Sequence, residues 1–156
     1  MLTQRRPYGV GMVTVSGPWS REEMERFLDA ETVPLRLGCR TPADKPWMLS
    51  LWYRFVDGAF QCATGADAAV VDYLDHDATV SFEVSTNEPP YCGVRGNGTA
   101  TMTPDEEKTV LTELLQRYLG GTDSPLAEQL LAPDRREIQI TITPDRLHTW
   151  DYSDRM

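Results

Sequence analysis

Lysine, histidine and patterned cysteine are all scarce in this sequence, and each shortage narrows what the chain can do. Lysine occurs only at Lys45 and Lys108, so arginine carries nearly all the positive charge. Histidine occurs only at His76 and His148, without metal-ligand spacing, which argues against a metalloenzyme. Cys39, Cys62 and Cys92 are odd in number, far apart and outside any CxxC pattern. They read as buried structural thiols of a reducing compartment rather than a disulfide frame or a zinc site. No apolar run approaches the length of a membrane span. The opening MLTQRRPYGVGMVTVSGP has short apolar patches broken by glycine and reads as no secretory signal, so the expected location is cytoplasmic. Basic residues number 15 against 24 acidic ones, a net charge of −9. Such a field repels nucleic acid and anionic membranes, and neither is expected as a partner.

What remains is ordinary globular material. Hydrophobic residues make up 40% of the 156 and charged residues 25%, enough for one domain with a real core. SREEMERFLDAE carries a capping box, Ser20 with Glu23, and sets Met24, Phe27 and Leu28 on one face of a helix from about 20 to 30. VPLRLGC reads as a strand near 33–39. PWMLSLWYRFVDGAFQCAT reads as a β-hairpin, because Asp57-Gly58 suits a type I′ turn with both central residues at positive φ. ATVSFEVST, about 78–86, alternates Val80, Phe82 and Val84 inward. GVRGNGTATM gives another strand after the Asn87-Glu88-Pro89-Pro90 loop. Thr103-Pro104-Asp105 looks like a capped helix start, with Val110, Leu111, Leu114, Leu115 and Tyr118 as its stripe and Gly120-Gly121 as its stop. A shorter helix runs from Ser124-Pro125 to near Leu131. EIQITIT and RLHTWDY close the chain as two strands joined by a Pro144-Asp145 turn. About seven strands in hairpin-like succession predict a largely antiparallel sheet closed as a small barrel.

One stretch raises a chemical question. In ATGADAAVVDYL a strand ends at Thr64-Gly65 and Asp67 opens a short helix with Val70, Val71 and Leu74 buried. Such junctions receive phosphates, since free N–H groups and the helix dipole point at the ligand. Here the first turn offers Asp67, Ala68 and Ala69 where a cation would serve.

The order KPWMLSLWYRFVDGAFQCAT, short helix, DATVSFEV, YCGVRGNGTATM, helix, TPDRLHTWDYS resembles the pyridoxamine 5′-phosphate oxidase-like FMN-binding split-barrel superfamily, over roughly Val33 to Ser153. The resemblance implies a mainly β fold, a six-stranded antiparallel split barrel with flanking helices. Residues 1–156 would form a single domain, with the first ~18 as an arm or extra strand. It also implies a homodimer with flavin mononucleotide (FMN) sites at the interface, or a deazaflavin or haem in some relatives. Met48, Leu49, Ser50 and Leu51 would run beside the isoalloxazine ring, and Ala63, Thr64 and Gly65 would face the ribityl-phosphate end. Trp150 would reach the flavin, and Arg95 would sit as a cation near the ring's developing negative charge. The chain departs from the family where tight phosphate binders carry Arg or Lys: those places are Met48, Ala69 and Val70. Each charge-assisted hydrogen bond to phosphate contributes about 1.5–3 kcal/mol, so losing several costs orders of magnitude in affinity. Arg36, Arg40, Arg54 or a partner subunit's arginine are the available replacements.

Plainer readings stand beside these. Thr64-Gly65 is equally a strand end, Arg95 an exposed strand residue paired with Glu83, Trp150 a core-closing aromatic and His148 a structural histidine. Trp47, Trp52 and Tyr53 suit a subunit interface or a substrate pocket. No histidine is placed to activate Ser50 or Cys62 as a nucleophile. The expected function is flavin-dependent oxidoreduction of a small molecule. The alternative is a non-catalytic split-barrel binding module with weak or lost flavin, or with a deazaflavin or haem ligand.

Overall fold

The computed structural model describes residues 13–155; the expected arm lies mostly outside them. Its element order is β1 (Val15–Ser16), α1 (Arg21–Ala30), β2 (Leu35–Arg40), β3 (Pro46–Leu51), β4 (Arg54–Val56), β5 (Ala59–Gly65), α2 (Ala69–His76), β6 (Thr79–Ser85), β7 (Cys92–Pro104), α3 (Thr109–Leu119), α4 (Pro125–Leu130) and β8 (Glu137–Asp151). Six strands have six residues or more, and all eight belong to one sheet in the order β3-β2-β6-β7-β8-β5-β4. β1 lies off that path and pairs parallel with β8; every other pairing is antiparallel. None of the helices described here is long and apolar enough to cross a membrane.

The inner face of the sheet is the core. Leu35 and Leu37 of β2, Val80, Phe82 and Val84 of β6, and Ile140, Ile142 and Leu147 of β8 are all buried there. Phe60 is its aromatic centre, with the rings of Phe82, Phe55 and Tyr53 at 4.8, 4.9 and 5.8 Å. α1 closes one end: the capping box of Ser20 and Glu23 forms as expected, and Met24 and Leu28 are fully buried.

Four local expectations are corrected. The hairpin is shorter than the sequence suggests. Asp57 and Gly58 do adopt positive φ, 51° and 77°, but only Arg54–Val56 pairs with β5. The chain breaks at Trp52-Tyr53 and its first half pairs with β2 instead. The cause is Tyr53, whose ring is buried and whose hydroxyl lies 2.8 and 3.0 Å from the Leu28 and Glu31 carbonyls of α1. Pro104 ends β7 instead of starting α3, because its ladder with Ile138 outcompetes the cap. Asp105 still caps the helix from a distance, accepting from the N–H groups of Val110 and Leu111. Pro144-Asp145 is a bulge, not a turn: Asn97 pairs with Arg146 and Gly98 with Pro144, so Asp145 is the extra residue in one continuous β8. Finally, Asp67 does not cap α2. Ala68 is the N-cap and makes no side-chain cap bond.

Candidate functional site: a cationic cleft and an uncapped turn

Side chains alternate across a strand, so residues between the core positions face outward and the ladder brings them into rows. One row crosses five strands: Ser50, Arg36, Glu83, Arg95 and His148 are successive register partners. The next is Met48, Gly38, Ser81, Asn97 and Arg146. Together they line a cleft of about 530 Å³, Ser50 excepted. Ser50 Oγ accepts from Arg36 Nη1 at 2.7 Å. Arg95 Nε lies 3.1 Å from Glu83 Oε2, the pairing that the plainer reading anticipated, while its guanidinium stacks 4.8 Å over the Trp150 ring. Tyr152 packs on Trp150 at 5.0 Å, and the buried indole Nε1 has no acceptor among the described residues. His148 Nδ1 is 2.8 Å from Ser16 Oγ, which fixes the ring at the cleft wall.

β3 is the end of the sheet, so alternate N–H and C=O groups of Met48–Leu51 are free of ladder bonds on its outer edge. Met48 is exposed, while Leu49 and Leu51 pack toward the core. Trp47 is exposed and meets Tyr73 of α2 edge-on at 6.3 Å. Trp52 and Tyr53 fold inward instead of lining the cleft; Trp52 stacks on Tyr118 at 5.0 Å.

Ala63, Thr64 and Gly65 form a second group. Ala63 packs on the small cluster of Leu111, Leu115 and Ala127, so its side chain is structural. Thr64 and Gly65 pair with Ile138 and Glu137 of β8, and none of these three β5 residues lines the cleft. Around the turn Ala66 N donates to Arg136 O at 2.8 Å, and Arg135 lies over the bare face of Gly65: a Cβ there would sit 3.1 Å from its Nη2. Arg135 Nη2 is 2.9 Å from Glu137 Oε1, and that carboxylate is buried. The sequence reading missed Arg135, which the β5–β8 register brings to the turn. It missed Arg146 and Gly38 too, although outward parity with His148 and Arg36 was a usable signal.

The thiols offer no chemistry here. Burial pushes Cys62 up to about 12, and burial also raises Cys39. Cys92 is raised by partial burial and by the nearby Asp151 carboxylate. Asp151 itself is held low by hydrogen bonds from Ser153 and from the Trp19 indole.

No family model and no curated protein matches the chain, but solved structures do. The Mycobacterium tuberculosis conserved hypothetical protein Rv2991 superposes with a TM-score of 0.71 at 22% identity, covering 86% of each chain. An F420 reductase superposes with a TM-score of 0.65 at 18% identity, over 84% of this chain and 98% of the other. A Listeria innocua protein described as a candidate pyridoxamine 5′-phosphate oxidase gives 0.63 at 15% identity, over 82% and 95%. The chain has the split-barrel fold. Identities this low speak for fold alone. Within the split barrel, β3 supplies the free edge, and the cationic cleft lies beside it on the outer sheet face.

Proposed function

We propose that this split barrel binds a flavin-type cofactor, with FMN as the leading candidate, and acts as an oxidoreductase on a small molecule. The observation that carries this reading is the free edge of β3 bordering a cleft lined by Arg95, whose guanidinium lies over the Trp150 ring. The residues fit an anionic ring cofactor. Backbone groups of Met48–Leu51 can pair with the polar edge of a ring, as a further strand would. The buried Trp150 Nε1 lacks an acceptor among the described residues, and Arg95 beside it supplies positive charge. At the turn, Thr64, Gly65 and the uncapped N–H groups of α2 suit a phosphate. Arg135, paired there with the buried Glu137, would stand in for the cations missing at Ala69 and Val70.

When bound, the cofactor supplies the hydride or electron chemistry. The chain's own residues would orient and polarise: β3 would hold the polar edge of the ring and Arg135 the phosphate. Arg95, three strand spacings or about 14 Å from β3, would offer its charge to the ring from the second copy of a dimer. No nucleophile is required of the protein. We further propose that the active unit is a homodimer with the sites at its interface, since Met48 of the cleft and Trp47 on the opposite face of β3 are both exposed and a second copy would cover them.

A binding module is the second reading, and one observation favours it. His148, an imidazole of the kind that holds haem iron, lines the cleft. Titration decides. Adding FMN to the purified chain is expected to quench flavin fluorescence saturably and raise the melting temperature. At a hundredfold excess over Kd the linkage gain is about 2.7 kcal/mol. Absence of both effects, with the Soret band of added haemin shifting and sharpening saturably relative to free haemin, would replace the flavin reading with the haem one.

A further inference from the structure

The cofactor reading leaves most of the cleft unused. Arg36 and Arg146 have no role in it, yet in a chain of net charge −9 they stand with Arg95 and His148 around one depression. Glu83 is the single acid of the lining; it stands between Arg36 and Arg95 in register and is ion-paired with Arg95. Arg36 is met by a neutral hydroxyl, Ser50 Oγ. Arg146 is exposed and makes no ion pair among the described residues. One carboxylate against three guanidiniums leaves the lining net positive.

The spacing is set by the sheet. Arg36 and Arg95 lie in one row with β6 between them, so their Cα atoms are separated by two strand spacings, about 10 Å. Arg146 stands diagonally from Arg95 on the adjacent strand, about 7–8 Å away. The floor between them is cut down at Gly38, where a Cβ would lie 2.3 Å from Ser81 Oγ. Guanidinium groups bind carboxylate and phosphate oxygens in bidentate pairs, so two of them held apart on rigid strands select a ligand with an anionic group at each end.

We propose that this cleft binds a small molecule with an anionic group at each end, a dicarboxylate or a bisphosphate, and that such a molecule is the substrate of the redox site. The binding site follows from the cleft alone; calling its ligand the substrate rests on the flavin reading above. His148, held by Ser16, gives the cleft a hydrogen-bonding wall between the Arg95 and Arg146 sides.

The test uses the full chain with three probes at fixed ionic strength: acetate, succinate and pyrophosphate. Binding is read by thermal shift and by NMR of the His148 ring and the arginine side-chain N–H signals. Succinate or pyrophosphate should bind at least tenfold tighter than acetate, and which of the two prevails names the anion. Arg146→Gln, an exposed substitution, and Gly38→Leu, which fills the floor, should each weaken that binding tenfold or more while FMN affinity stays within twofold. Two-ended anions binding no better than acetate, or equally well to the Arg146→Gln variant, would overturn the proposal even if FMN binds. Conversely, tight binding of a two-ended anion in a chain that ignores FMN would keep the site and sink the redox reading.

Discussion

The two faces of β2 show how one stretch of chain serves two purposes. Leu35 and Leu37 point inward and are wholly excluded from water, while Arg36 and Gly38, alternating with them, point out into the cleft. β6 repeats the division, with Val80, Phe82 and Val84 inside and Ser81 and Glu83 outside. The inner face holds the fold by burial, and the outer face can vary its charges without disturbing that burial. This separation explains how a split barrel keeps its architecture at low identity while its ligand chemistry changes.

The sharpest way to break the comparison is to cut into the inner face. Phe60→Ala removes the ring at the centre of the aromatic cluster and should cost about 3–5 kcal/mol in urea unfolding. Tyr53→Phe keeps the ring but removes the hydroxyl that meets the Leu28 and Glu31 carbonyls, so about 1–3 kcal/mol should be lost. It should also loosen α1, which amide exchange in residues 28–31 would report.

A third test uses pH. The folded-state value of Cys62 is raised to about 12 and that of Tyr53 is raised too, chiefly by burial in both cases. Groups raised on folding contribute stability that is complete below their unfolded values and lost as pH climbs toward the folded ones. Stability should therefore fall on the order of 1–2 kcal/mol from the ordinary thiol range near 8.5 to pH 10. Urea midpoints measured across that window check it, and Cys62→Ala should flatten the slope. The smallest effect belongs to the outer face. Arg95→Ala breaks a pair that is about half exposed and should change stability by less than about 1 kcal/mol. A loss as large as that of Phe60→Ala would mean the two faces are not separate after all.

Alternation made the faces legible in the sequence: Val80, Phe82 and Val84, and likewise Ile140 and Ile142, are inward as expected. The capping box of α1 and the positive φ values at Asp57-Gly58 were equally local and equally readable. What escaped depended on distant partners. The break at Trp52-Tyr53 is dictated by where α1 ends, and the bulge at Asp145 by where β7 pairs. Pro104 looked like a helix start until Ile138 was seen beside it. The site divides the same way. Arg95 and Trp150 were legible as candidates and lie stacked on one another, whereas Arg135 reaches Gly65 only through the β5–β8 register.

That arginine gives the most direct test of the account, because the proposed phosphate site needs a cation and Ala69 and Val70 supply none. FMN and riboflavin differ by the phosphate alone, so their affinities should be compared on the native chain and on Arg135→Ala. The account predicts that FMN binds at least tenfold tighter than riboflavin to the native chain and that this margin collapses in the variant. Equal affinity for the two flavins, or a margin that survives the loss of Arg135, would contradict it.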